Sequence, residues 1–257
     1  MTAPTTPSAA RSGAGDAGPV RSAVITGASR GIGRGIALAL AQEGWDLTLV
    51  ARSSAGLAEV AAATGASSVN LDLSDPSAPA AVVEAHLRRH SSLDALVLAA
   101  GVGSAASLDG YPVSRYEKQF ALNTRAPFLL MRSALPLLRA AASRRPSRGA
   151  KIIALASIGG VYAEPSLSVY GATKAALLAL CRGFNAEESG TGVTATAIAP
   201  GYVDTDMSAW VHDTVPPSSM IPVADVVATV GFLLSLSARS VVNELVVSRA
   251  GTSGYAA

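Results

Sequence analysis

Residues 23–40 read "AVITGASRGIGRGIALAL", and the fold turns on how that stretch is parsed. Residues 23–26 are apolar or β-branched, as a buried strand requires, and Gly27, Gly31 and Gly33 follow at once. Beyond them, apolar residues recur at helical spacing. Strand, glycine turn and helix in that order open a βαβ unit. The glycines let the turn bend sharply and let backbone N–H groups at the helix start approach a pyrophosphate, which the unpaired amides and the helix dipole both favour. A glycine-rich turn without a ligand would share the spacing. The strand before it and the helix after it are what point to a dinucleotide site.

Outward from this unit, short apolar runs alternate with longer amphipathic stretches. Strands are predicted at 23–26, 46–50, 68–71, 95–100, 151–156, 193–199 and 244–247. Helices are predicted near 32–43, 55–64, 77–90, 114–142, 168–188 and 223–236. The rhythm predicts an α/β chain with one doubly wound (Rossmann) domain over residues 22–257, a seven-stranded parallel sheet with helices on both faces. Pro127 and Pro136 lack the N–H that a helix uses, so the 114–142 stretch is expected to bend or break there. The segment "SRRPSRG" (143–149) reads as a basic surface loop. The weakly periodic residues between Gly201 and Pro222 follow a strand end, where open α/β sheets bind ligands, and are expected to form a mobile substrate lid.

Composition narrows the class. The 257 residues are 49% hydrophobic, enough for a sizeable core, and carry a net charge of only +2. No Lys/Arg tract interleaved with aromatics suggests nucleic acid as a partner. No uninterrupted apolar run reaches the ~18 residues of a membrane span. Residues 1–21, rich in Ala, Ser, Thr, Pro and Gly, are expected to be a disordered leader without a secretory apolar run, and the expected location is cytoplasmic. Cys181 is the single cysteine, in the apolar context "LLALCRGF", and reads as a small buried hydrophobe. His86 and His90 have a metal-gripping i, i+4 spacing, but Arg88 and Arg89 sit between them. A solvated helix end is expected there, and no metal site.

Residues 169–177, "VYGATKAAL", place Tyr170 four positions before Lys174, on one face of a helix. Only three of the 20 basic residues are Lys, so a Lys here resists the chain's preference for Arg. A compact ammonium beside a phenol favours the phenolate, which would make Tyr170 a proton donor or acceptor usable near neutrality.

With "TGASRGIG" (26–33), Ser157, "YGATK" (170–174) and "PGYVDT" (200–205) in that order, the chain resembles the short-chain dehydrogenase/reductase family from residue 22 to about 250. The resemblance implies a catalytic set of Asn123, Ser157, Tyr170 and Lys174, with Ser157 13 residues before Tyr170 as is usual in the family. Ser157 would hold the substrate oxygen, and Asn123, in "ALNTRAPF", would order a proton-relay water. It implies a cofactor set of Gly27, Ser29, Arg30, Gly31, Ile32, Gly33, Arg52, Asp72, Tyr170, Lys174, Pro200, Gly201, Val203 and Thr205. Asp72 matches the residue that faces adenine, and Val203 with Thr205 match the element that fixes the nicotinamide carboxamide.

At the end of the second strand, "TLVARSS" has Ala51 and Arg52 where an acidic residue would accept the ribose diol of NAD. Arg30 and Arg52 together suit the extra phosphate of NADP(H). Two departures from the family stand out. "LAAG" (98–101) replaces an Asn-Asn-Ala-Gly stretch, and "VVNELVVSRAGTSG" ends the chain's last strand region in place of an Asp-Gly-Gly turn.

The expected activity is NADPH-dependent interconversion of a carbonyl and an alcohol on a small molecule. Two other readings stay open: a catalytically silent dinucleotide-binding regulator, and a carrier-linked 3-oxoacyl reductase that receives its carrier on Arg139, Arg144, Arg145 and Arg148. A solvated loop is the plainer reading of those arginines, and Thr191 stands where carrier-linked relatives often place a basic residue. Assembly as a homotetramer or homodimer is expected through the long fourth and fifth helices, with the apolar "ALLALCRGF" available for contact.

Overall fold

A computed structural model describes residues 20–253. The expected leader lies almost wholly outside the described residues. Seven strands, β1 (Ser22–Thr26), β2 (Asp46–Ala51), β3 (Ser67–Asn70), β4 (Ala95–Leu98), β5 (Ala150–Leu155), β6 (Val193–Pro200) and β7 (Glu244–Val247), form one sheet in the order β3-β2-β1-β4-β5-β6-β7. Every pairing is parallel. Such a sheet is buried on both faces, and its central strands therefore read as continuous apolar runs.

Alternate residues face opposite ways, as the pleat demands. Val24, Leu96 and Ile152 pack into a core with Val82, Leu130, Leu138, Leu177 and Cys181. Those residues come from α3 (Ala78–Leu87), α5 (Ala126–Arg144) and α6 (Ser168–Glu188). Their neighbours Ile25, Val97 and Ile153 pack into a second core with Ile36, Leu40, Leu57 and Val226. That layer is built by α1 (Gly31–Gln42), α2 (Ser54–Thr64) and α7 (Val223–Ser235).

The expected break near Pro127 is instead a change of pitch. The helix α4 (Val113–Phe120) runs through a π turn at Ala121–Arg125 directly into α5. Pro127 falls in the first turn of α5, where its ring is tolerated. Pro136 lies inside α5, on the exposed side beside exposed Arg132, so the carbonyl it leaves without an N–H can turn to water.

His86 departs from the sequence reading. It is fully buried, with Nδ1 2.9 Å from the Thr48 hydroxyl and Nε2 3.2 Å from the Ser92 carbonyl. The helix end is solvated around it at Arg88 and Arg89, but the imidazole is a hydrogen-bonded core group. Leu177, Leu178 and Cys181 are likewise buried against the chain's own sheet, so the apolar character of "ALLALCRGF" is used within the fold. No described helix is long and apolar enough to cross a membrane.

The β1–β4 neighbourhood is where the strand order reverses. The crevice beyond the carboxyl ends of the strands opens at that point.

Candidate active site

The glycine turn after β1 is shaped by three close approaches. Gly27 has φ +66°, and a Cβ there would stand 2.8 Å from the Ala100 nitrogen. A Cβ on Gly33 would fall on the Gly27 carbonyl, so the turn and the first turn of α1 can touch only as glycines. Gly31, at φ +53°, faces the Thr205 side chain. The amino end of α1 is thereby held open beside the sheet edge.

Thr26 anchors the "LAAG" stretch through its side-chain oxygen. Its hydroxyl donates to the Val97 carbonyl (3.2 Å) and accepts from the Ala99 and Ala100 amides (3.0 and 3.1 Å). That one oxygen holds the two peptide groups that follow β4.

A cleft of about 440 Å³ runs along this turn, lined by Gly27, Ser29, Arg30, Gly31, Ile32, Gly33, Arg52 and Asp72 among others. Arg30 and Arg52 thus line the same cleft. Each has an acidic neighbour: Arg30 sits 3.2 Å from Asp206, and Arg52 lies 3.7 Å from Asp72. All four side chains are well exposed, so the pairs are weak and open to exchange. Asp72 is held below the usual carboxylate range, chiefly by the Ser74 amide and hydroxyl that donate to it. Ser53, which the sequence reading passed over, also lines the cleft, at the residue preceding α2. Its signal was its place in "ARSS", just before a helix start, where Ser is favoured and N–H groups are unpaired.

A second cavity of about 440 Å³ shares Ile32, Ala99, Gly101, Thr205 and Met207 with the first. Ser157, Tyr170, Lys174, Pro200, Gly201 and Val203 line it. Ser157 leaves β5 and introduces a short 3₁₀ turn at Ile158–Gly160, its oxygen accepting the Gly159 amide at 3.2 Å. Tyr170 and Lys174 project from the first turns of α6, with the ammonium 5.6 Å from the phenol ring centroid. Close packing seats that helix end: a Cβ on Gly171 would press on the Gly159 carbonyl at 2.5 Å, and one on Gly160 on the Lys174 backbone at 2.7 Å.

Lys174 is almost fully buried and donates to the Leu155 carbonyl at 2.7 Å. Burial lowers its pKa to about 8. The Tyr170 phenol moves the other way from the sequence expectation. Burial raises its pKa and nearby Glu164 adds to the rise, while the Ser157 hydroxyl, close enough to donate to it, pulls it back. The phenol is therefore the protonated form at neutrality.

Asn123 lies in the π turn, buried, with both amide atoms engaged. Its Oδ1 accepts the Val102 amide (2.9 Å), and its Nδ2 donates to the Val102 carbonyl (2.8 Å) and the Thr173 hydroxyl (3.0 Å). A Cβ on Gly101 would lie 3.4 Å from both Asn123 Oδ1 and Lys174 Nζ, so the two side chains meet across that glycine. Pro127 offers no N–H to the carbonyl four residues before it, which is that of Asn123.

The segment after β6 is built more firmly than a featureless loop. Val203 pairs with Ile221 in an isolated bridge, and the Ser208 hydroxyl ties back to the Val203 carbonyl at 2.6 Å. Between them run two 3₁₀ turns, Asp206–Val211 and Pro217–Ser219. Tyr202, Met207 and Trp210 from this segment, with Leu167 and Glu164, complete the second cavity. The Tyr202 hydroxyl donates to Glu164 at 2.7 Å. Tyr202, Met207 and Trp210 belong to the stretch read from sequence as a substrate lid, whereas Glu164 and Leu167 lie in no motif and were not legible.

The arginines considered for a carrier are engaged elsewhere. Arg139 grips Glu188 through two bonds of 2.9 and 2.5 Å. Arg144 donates to Ser91 and Ser92, Arg145 pairs with Asp94 at 3.0 Å, and Arg148 donates to the Ser235 carbonyl. The last three belong to the edge of the sheet opposite the Tyr170 cavity. Among the described residues, no group of three or more His, Cys, Asp or Glu could hold a metal ion.

Residues 21–215 match the family model described as short chain dehydrogenase. The chain is 30% identical over 241 residues to the 3-oxoacyl-[acyl-carrier-protein] reductase FabG of Staphylococcus aureus, covering 88% of this chain and 95% of that one. A solved Pseudomonas aeruginosa RhlG/NADP active-site complex superposes with a TM-score of 0.79 at 29% identity, covering 89% and 94% of the two chains. A 3-ketoacyl-(acyl-carrier-protein) reductase from Brucella melitensis complexed with NADH gives 0.80 at 25% identity, covering 89% and 96%.

Proposed function

The chain belongs to the short chain dehydrogenase family, and we propose that it uses NADPH to reduce a ketone or aldehyde on a small molecule, or runs the reverse oxidation, with Tyr170 as general acid/base. Its class is oxidoreductase, acting on the CH–OH/C=O pair, and it binds a nicotinamide dinucleotide. The observation that carries the finer reading is the meeting of Ser157, Tyr170 and Lys174 on one cavity that opens into the glycine-turn cleft.

The residues present suit the cofactor. Backbone N–H groups of residues 29–33 at the start of α1 would face the pyrophosphate, and Gly27, Gly31 and Gly33 keep side chains out of its way. Arg30 and Arg52, with Ser53 between cleft and helix, would take a 2′-phosphate, exchanging their exposed carboxylates for it. Asp72 would border the adenine, and Pro200, Gly201, Val203 and Thr205 the nicotinamide end. Bound there, the dinucleotide supplies or accepts the hydride.

Negative charge that develops on the substrate oxygen needs a proton and a second hydrogen bond. Tyr170 holds its proton by burial and gives it to that oxygen; Ser157 donates to the same atom. Lys174, protonated below about pH 8, stabilises the phenolate left behind. The Asn123 carbonyl, to which Pro127 offers no N–H, would accept from a water that returns the proton to Lys174. Reduction is favoured near neutrality, because the acid must start protonated. It should decline above about pH 8 as Lys174 loses its charge.

The FabG likeness keeps a carrier-borne substrate as a second reading, but Arg144, Arg145 and Arg148 lie away from the cavity mouth and Thr191 bonds to Glu188 at 2.8 Å. A free small-molecule carbonyl fits better. We also propose that residues 22–257 act as one catalytic unit and that copies assemble through α6 and the α4–α5 stretch, where Val113, Tyr116 and Phe128 are exposed. Light scattering that returns a single-chain mass would refute the assembly.

The test of function is NADPH consumption across a panel of ketones, repeated with Tyr170→Phe. Turnover should fall by a factor of at least ~10² with NADPH affinity retained. Unchanged turnover in the variant would remove Tyr170 from the chemistry. Cofactor binding with no turnover on any substrate would favour a silent regulator.

A further inference from the structure

We propose that the amino-terminal edge of the sheet carries a second ligand site, one that takes the phosphate group of a small molecule. A cavity of about 230 Å³ opens there, lined by Arg21, Trp45, Asp94, Arg145, Arg148 and Lys151. These residues immediately precede or begin β1, β2, β4 and β5. In a parallel sheet that edge is the far one from Ser157 and the glycine turn.

Four cationic side chains line this cavity against one carboxylate, and the carboxylate is already committed. Asp94 pairs with Arg145 at 3.0 Å and accepts the Ser22 amide at 2.9 Å. Arg21 reaches Glu43 only at 3.8 Å, and the guanidinium is held 4.1 Å over the Trp45 ring. Arg148 donates to the Ser235 carbonyl at 2.9 Å and Lys151 to Thr194 Oγ1 (3.2 Å) and the Ser237 carbonyl (3.0 Å). Neither has a carboxylate within 4.0 Å among the described ion pairs. Lys151 is only 6% exposed, so a buried ammonium faces the cavity without a counter-charge.

Such an arrangement repels itself. Burial lowers the Arg21 pKa, Glu43 opposes the fall, and Arg148 and Arg145 add to it; burial also lowers Lys151. An anion between Arg21, Arg148 and Lys151 would remove the repulsion and supply acceptors to cations that now face the cavity with at most a 3.8 Å carboxylate contact. Phosphate suits the site better than a carboxylate, because it presents three acceptor oxygens to two guanidiniums and an ammonium converging from different elements. The space beyond the cations is walled by Trp45 and Leu234, which leaves room for a short apolar portion attached to the phosphate.

The experiment is titration calorimetry of the full chain saturated with NADPH, using phenyl phosphate and inorganic phosphate as probes. One saturable site per chain is expected, weakened at least tenfold in Arg148→Gln and in Lys151→Met, and unchanged in Arg139→Gln. Arg148 is exposed, so its variant folds even where Lys151→Met does not. The difference between wild type and Arg148→Gln reads this site alone, whatever the cofactor cleft binds. Equal affinity in the two, or no saturable binding, would overturn the proposal. Flotation with phosphatidylcholine vesicles containing phosphatidic acid separates the sources. Lipid capture that depends on Arg148, with no binding of phenyl phosphate, would replace the small molecule with a membrane headgroup.

Discussion

Acidification should weaken this fold through His86. The imidazole is fully buried, hydrogen-bonded to Thr48 and Ser92, with Ser22 Oγ at 3.4 Å and the His90 ring stacked 4.7 Å away. Burial is the main cause that lowers its pKa from 6.5 to about 4. The Ser92 carbonyl and Asp46 oppose the fall, whereas His90 and Arg89 assist it. The folded chain therefore binds fewer protons than the unfolded chain between those values, so stability is full above pH 6.5 and drains away as the pH falls toward 4. At about 1.4 kcal/mol per pH unit, the ceiling is about 3–4 kcal/mol, and about 2 kcal/mol of it or a little more is lost by pH 4.5. Against a typical stability of ~5–15 kcal/mol, that loss is large. Urea unfolding of wild type and His86→Gln at pH 7 and pH 4.5 measures it. The variant begins less stable but lacks the titration, so wild type should lose about 2 kcal/mol more over the interval. Asp46, shared between Arg89 and His90 at 3.5 Å each, is present in both proteins and cancels. Identical losses would refute the reasoning and assign the acid sensitivity to carboxylates.

Three further outcomes follow from the geometry. Replacing Arg30 and Arg52 together with Ala should raise KM for NADPH by about 10–100-fold and leave KM for NADH nearly unchanged, as two charge-assisted bonds of ~1.5–3 kcal/mol imply when partly screened; steady-state kinetics with both cofactors decide it. Gly33→Ala drives a methyl onto the Gly27 carbonyl and should cost about 1–3 kcal/mol of stability together with cofactor affinity, read by denaturant unfolding and fluorescence titration. Cys181, whose thiol burial pushes up to about 12, should resist a thiol reagent at pH 8 in the folded chain and react at once in urea.

The strands were legible because a parallel sheet covered on both faces demands unbroken apolar runs, and "ALVL" or "KIIAL" can hardly be anything else between turns. The Ser157, Tyr170 and Lys174 constellation was legible because its parts have fixed spacing on α6 and at the end of β5. Misreadings arose where the deciding contact is distant in the chain. His86 was taken for surface because its neighbours are charged, yet its partner Thr48 lies 38 residues away on β2. The Tyr170 pKa was judged from Lys174 alone, whereas burial of the phenol, which a sequence does not show, raises it. Arg144, Arg145 and Arg148 were read more plainly as a solvated loop than as a docking patch, and the topology sends that loop to the far edge of the sheet. Pro127 was read as a break because a sequence shows the lost N–H but not the π turn that absorbs it.

The Thr26 hydroxyl, bonded at once to Val97, Ala99 and Ala100, has a broader implication. The threonine holds the two alanines by their amides while their methyls pack against the cores on either face of the sheet, so the floor of the crevice is a ribbon of peptide groups. What a bound molecule would meet at such a place is the main chain, and its position there depends on one hydroxyl contributed from a neighbouring strand.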